Sequence, residues 1–253
     1  MIALLLLPFL QRVAGWSAVQ AALIAVAAGV PMFLFAMGIP KLMPTLHPRR
    51  AIQAGYILIA AGLICVLFSL SSEGVNALVW VGSIVLGIGL GCLSAHASNV
   101  VALAINDRDA AQSGGVQTTS RNVGYAISIA VLGAVLLLGI GSGISSAIAD
   151  NSAVSAETKA IVASQNIDMM SDTAFREKFA DVAQSDEEMN ALVQANGTAR
   201  LDALRMAFIV GTVFVLASLL TTPAIRVTRK EDAETQEEIN VAALAEEEDV
   251  AIA

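Results

Sequence analysis

The chain has 253 residues, of which 56% are hydrophobic and 14% charged, with a mean hydropathy of +0.72. A soluble domain of this length carries roughly a quarter charged residues, so the deficit argues against a cytosolic enzyme, and a formal charge of -8 argues against nucleic-acid binding. The acids concentrate in residues 142–203 (ten acids, four bases) and 226–253 (nine acids, three bases), leaving an apolar, slightly basic remainder. That is the distribution of a membrane protein.

A bilayer core of about 30 Å takes about 20 apolar residues at 1.5 Å each. Met1 to Gln11 is apolar but too short to cross, and Arg12 follows it rather than preceding it, against a signal peptide. The stretch reads as the second half of a span whose beginning lies before Met1. Ala18 to Ile39 and Ala51 to Ser72 are uncharged for 22 residues each, and Gly74 to Asn106 for 33. Pro31, in the middle of the first, predicts a kink or break. Asn122 to Ala149 is uncharged behind Arg121, and Met206 to Ile225 supplies a last span. The expected fold is all-α and polytopic, with about five complete transmembrane helices plus one truncated at the N-terminus. Its parts would be a membrane bundle over 1–141, an external acidic helical hairpin over 142–203, a last span over 204–225 and a disordered cytoplasmic tail over 226–253.

Short loops give the orientation. Residues 41–50 carry three bases and no acid, 71–76 carry Glu73 alone, and 106–121 carry Arg108 and Arg121. The basic loops and the tail are expected in the cytoplasm of a bacterial plasma (inner) membrane protein, with 142–203 outside. Cys65 and Cys92 lie in apolar runs and read as buried side chains, neither disulfide nor metal ligands.

In the external segment, Phe175, Phe179 and Val182 recur at i, i+4 and i+7, an apolar stripe on an otherwise charged helix. Ser185-Asp-Glu-Glu188 has capping-box form, and Asn196-Gly197 reads as a helix stop. A helical stretch around Glu157 to Met170 would complete a hairpin. Asn196-Gly-Thr198 matches a glycosylation acceptor, a pattern common by chance.

No Asp or Glu falls deep inside a span, although proton-coupled carriers need a titratable group there. The sequence has no HExxH, GxSxG or CxxC and no paired intramembrane carboxylates, so an enzyme is not expected, and no metal site either. His96 is the one intramembrane titratable candidate. At about 100° per residue it shares an arc of about 80° with Gly89, Cys92 and Asn99. It either hydrogen-bonds a neighbouring helix or takes a ligand or proton role. Gly114, Gln117, Arg121, Gly124 and Ser128 share a second arc of about 80°. Arg121 either snorkels at the cytoplasmic interface or lines a cavity near the cytoplasmic mouth. Gly87 and Gly91 permit close helix packing, as does the small-residue seam Ala126, Ala130 and Ala134. His96, Asn99, Gln117, Arg121 and Ser128 are the substrate-cavity candidates; Gly87, Gly91, Gly124 and Pro31 are the helix-packing ones.

Ala110-Ala-Gln-Ser-Gly-Gly-Val-Gln-Thr-Thr-Ser-Arg-Asn-Val-Gly124 resembles the approach to the thirteenth helix of the fourteen-helix drug:proton antiporters (EmrB/QacA type) of the major facilitator superfamily. Gly87-Ile-Gly-Leu-Gly91 resembles their twelfth helix, and Leu201-Asp-Ala-Leu-Arg-Met-Ala-Phe208 the approach to the fourteenth. The resemblance covers the chain to about Arg226 and implies part of the ninth span and all of the tenth to fourteenth. Gly38 and the paired Arg49-Arg50 stand where that family keeps a degenerate Gly-x-x-x-Asp-Arg-x-Gly-Arg loop, here without the Asp. It implies a proton gradient with no bound cofactor, a small lipophilic substrate, and a missing N-terminal half as partner within the lipid bilayer. Two readings stand beside it: a homodimerising half-transporter, and a non-transporting membrane protein whose hairpin is an interaction module.

Overall fold

The computed structural model describes residues 5–42, 47–71, 74–103, 110–165, 167 and 169–224. The tail over 226–253 lies outside the described residues, as do 43–46 and 104–109 of the two basic loops. The order of elements is α1 (Leu7–Arg12), α2 (Ala18–Leu42), α3 (Pro48–Ser69), β1 (Leu70–Ser71), β2 (Gly74–Val75), α4 (Leu78–Leu103), α5 (Ala110–Ala149), α6 (Ala156–Ser164), α7 (Asp172–Lys178) and α8 (Asp186–Ser218), closed by a 3-10 turn over Leu219–Ala224. Among the described residues, α2, α3, α4, α5 and α8 are long and apolar enough to cross a membrane. The all-α polytopic expectation therefore stands, with only a two-residue antiparallel ladder, Leu70 to Val75 and Ser71 to Gly74, between α3 and α4.

Small residues set the packing of α2, α3 and α4. A Cβ on Gly62 would lie 2.7 Å from the Leu86 backbone, and one on Gly89 would lie 2.7 Å from that of Ile59. On the other side of α4, Gly87 meets the Ala28 carbonyl and Gly91 would set a Cβ 2.6 Å from that of Met32. Without a hydrophobic force between helices in lipid, such backbone proximity supplies the packing. α2 runs unbroken through Pro31, so the expected break is absent. One missing N–H costs a single ladder bond, which a membrane helix tolerates.

Two hydrogen bonds register α8 against α3. Gln53 Nε2 donates to Thr222 Oγ1 at 2.9 Å, and Arg205 donates to the Leu70 carbonyl at 3.0 Å. Gln53 to Leu70 and Arg205 to Thr222 are each 17 residues along the chain, so the two contacts bound a slab of about 26 Å between them. The second contact also puts a cation on the carbonyl end of α3, which the helix dipole favours. Trp16 and Trp80, the two tryptophans of the chain, stack beside the Leu70 end with ring centroids 6.4 Å apart. Tryptophan favours that membrane–water boundary.

α5 and α8 pack antiparallel: Gly139 would set a Cβ 2.8 Å from that of Ala203, and Gly143 likewise from Ala199. Ile140, Ile144 and Ile148 bury a stripe at four-residue spacing on the same length of α5. Both helices pass the level of Arg205 without interruption. Residues 142–149 belong to α5 and 186–203 to α8. The expected stop at Asn196-Gly197 is overturned: α8 continues through both, because Ala195, Ala199 and Ala203 seal that stretch of helix. Asn196 is fully buried, which removes the Asn-Gly-Thr acceptor from solvent.

The projecting subdomain is built from these helix ends plus α6 and α7. Ser155, Ser171 and Ser185 cap α6, α7 and α8, each accepting from a backbone N–H three residues on. The apolar stripe does not ride one helix as expected. α7 ends at Lys178, Phe179 is its C-cap, and Val182 lies in the following turn. Phe175 and Phe179 still meet, centroids 4.6 Å apart, and both are buried.

Candidate substrate-facing surfaces

The arc around His96 is turned toward α3. Gly82 and Gly89, on the same side of α4, press on Gly62 and Gly55, while Gly87 and Gly91 point oppositely at α2. His96 is buried, and its Nδ1 lies 3.0 Å from the Cys92 carbonyl one turn back. With that carbonyl accepting, Nδ1 carries the proton. Carried onward, the register of Gly55 against Gly89 and Leu93 sets His96 level with Arg50–Ala51, near one face of the slab. Asn99 lies on α4 with its side chain outside the description.

The second arc is positioned differently. Residues 118–130 are exposed on every side, and Gln117 is half-buried. Arg121 donates to the Tyr125 hydroxyl at 3.4 Å, and Ser128 donates to the Gly124 carbonyl at 2.8 Å, both within α5. A Cβ on Gly124 would meet nothing within 4 Å, so this glycine packs on no described neighbour. Ala126, Ala130 and Ala134 are exposed as well. Carried down from Gly139 and Ala203, the α5–α8 register sets Arg121 level with Thr221. Arg121 is thus at the height of the Gln53–Thr222 contact along the bundle, on a stretch of α5 exposed on every side.

His96, Arg121 and the Gln53–Thr222 pair therefore share one end of the bundle, the end that carries Arg49 and Arg50. Between that end and the tryptophans, buried polar side chains such as Ser83 and Thr212 bond carbonyls of their own helices. Every long helix exposes apolar side chains, among them Ile57 and Phe68 on α3, Val81 on α4, and Val213 and Phe214 on α8. α2 exposes Val26, Val30, Phe33 and Leu34, and α5 exposes Val116, Val123, Ile127 and Ile129. No group of three or more His, Cys, Asp or Glu able to hold a metal occurs among the described residues. The structure thus presents apolar helix faces, with polar groups at one rim.

The family model of the Major Facilitator Superfamily matches residues 1–129, from α1 into α5. The chain belongs to the major facilitator superfamily. No curated protein and no solved structure matches it. The matched length of this major facilitator chain includes Gly87, Gly91, His96 and the exposed half of α5 with Arg121. It is a multi-pass membrane protein of a transporter family.

A tightly held carboxylate among the described residues lies in the projecting subdomain, named from sequence only within the Ser185–Glu188 capping-box pattern. Glu188 is buried; its two oxygens accept from the backbone N–H groups of Ser155 at 2.8 Å and Gln184 at 2.6 Å. Burial alone would raise its pKa, but these bonds and the hydroxyls of Thr158 and Ser155 hold it down to about 2. Glu188 lies 17 residues before Arg205 on α8, well outside the slab. Its place as third residue after the Ser185 cap was the only sequence signal. Arg200 is a second tightly held charge, donating to the Met170 carbonyl at 2.7 Å and to Asp172 at 3.1 Å.

Proposed function

We propose that this chain is the C-terminal half of a proton-coupled multidrug efflux carrier of the fourteen-helix drug:proton antiporter type. It would export lipophilic or cationic small molecules across the bacterial inner membrane by secondary active transport. The observation that carries this reading is the first half of α5, exposed on every side over residues 118–130 within the length matched by the family model, beside the apolar face of α2. Alternating access needs two bundles rocking about a site between them, and these faces supply a surface for the second. The Ala110–Gly124 segment, which resembles the antiporters, forms the start of α5.

In this reading the Arg49–Arg50 end is cytoplasmic and the projecting subdomain external. Gln117, Arg121 and Ser128 line the cytoplasmic mouth between bundles, while His96 secures α4 against α3. Protons drive the cycle through the other half. Burial of Phe175 and Phe179 removes the exposed stripe that would have favoured the interaction-module reading.

The test is ethidium efflux in cells expressing the chain with and without an N-terminal half of an antiporter of this type. Efflux restored only by co-expression supports the proposal. Efflux by the purified chain alone in proteoliposomes overturns it in favour of the homodimer.

A further inference from the structure

The five long helices pack as two groups. α2 and α3 close on opposite sides of α4, α5 closes on α8, and every glycine approach described above falls inside one group or the other. The groups meet where α3 and β1 lie against α8 and the 3-10 turn that ends it. That seam is built differently. Phe208 and Thr212, at i+3 and i+7 from Arg205, share its face of α8 and are buried, so side chains fill the seam. The Thr212 hydroxyl donates back to the Phe208 carbonyl, so its proton stays within α8. Helices that meet through a large side chain stand further apart than helices that meet at glycine.

The two hydrogen bonds across the seam differ in exposure. Thr222 is fully buried, and its hydroxyl accepts from Gln53 while donating to the Leu219 carbonyl. Parting it from Gln53 would leave a buried oxygen without its donor. The Arg205 side chain is 43% exposed, and Asp202, three residues back, competes for it at 3.7 Å. Water and Asp202 can therefore replace the Leu70 carbonyl as partners of this guanidinium.

We propose that the seam is a pivot, on which the α5–α8 pair and the projecting subdomain swing as one body against α2, α3 and α4. The Gln53–Thr222 end is the fulcrum, and the Arg205–Leu70 bond is a strap that opens and closes at the other end. The motion lies within this chain. It is distinct from the rocking of two bundles in alternating access and needs no second half.

The experiment measures nitroxide distance distributions by electron double resonance on the purified full chain in nanodiscs. Cys65→Ala and Cys92→Ala leave only introduced cysteines to carry label. Phe68→Cys with Glu187→Cys spans the seam, whereas Leu138→Cys with Glu187→Cys stays within the α5–α8 pair, and all three positions are exposed. In the parent chain the distribution across the seam is expected to be the wider. Arg205→Ala is expected to add a longer-distance component across the seam and to leave the other pair unchanged. Arg205→Lys, which keeps a donor, is expected to suppress that component. Equal widths in the parent, no change across the seam in Arg205→Ala, or equal broadening of both pairs overturns the proposal. The parent comparison decides the matter if Arg205→Ala does not fold.

Discussion

Gln53 and Thr222, 169 positions apart in sequence, share a hydrogen bond of 2.9 Å between α3 and the 3-10 turn that closes α8. Together with Arg205 on the Leu70 carbonyl, it fixes the register of the last span against α3. Hydrogen bonds between membrane helices average about 0.6 kcal/mol in double-mutant cycles. A cycle of Gln53→Ala and Thr222→Val, read by unfolding in detergent, is expected to give a coupling of that size. Zero coupling would show that the register rests on Arg205 and packing alone.

Glu188 makes the projecting subdomain acid-sensitive at low pH. Its folded pKa of about 2 lies below the ordinary 4.5, so the fold favours the ionised form. The associated stability is complete above about pH 4.5 and is lost as pH falls toward 2. Amide exchange across 155–200 should accelerate over that window. Glu188→Gln should cost about 2 kcal/mol and flatten the pH response.

Two arginines separate by what surrounds them. Arg200→Ala should destabilise the projecting subdomain by about 3 kcal/mol, leaving the Met170 carbonyl and Asp172 without their donor. Arg121→Ala should change stability by no more than about 0.5 kcal/mol, because its side chain is exposed. Thermal unfolding of the two variants checks the contrast.

Glycine positions separate in the same way. Gly87→Ala should force α2 from α4, since the new methyl would strike the Ala28 carbonyl. Gly133→Ala meets nothing within 4 Å and should be neutral or stabilising by up to about 1 kcal/mol through helix propensity. Comparing detergent-unfolding midpoints tests both.

Span number was legible because uncharged runs of 20 or more residues have no other stable environment. Periodicity also showed which residues share a face, yet not what that face meets. His96 and Arg121 looked equivalent by arc, but neighbours from distant sequence buried one against α3 and left the other exposed. The Asn196-Gly197 stop failed for a similar reason: local propensity predicts an end, and packing on α5 overrides it. Glu188 was legible as a capping-box residue, yet its burial against the Ser155 N–H, 33 positions away, was not.

The unbroken passage of α8 out of the slab has a mechanical consequence. The 17 residues from Glu188 to Arg205 make a rigid arm of about 26 Å, braced by α5 and closed at its tip by the Phe175–Phe179 core. The arm has no hinge, so any tilt of the two spans appears outside the membrane as a displacement proportional to that length. A spectroscopic label at exposed Glu177 would act as a pointer to motions of helices it never touches.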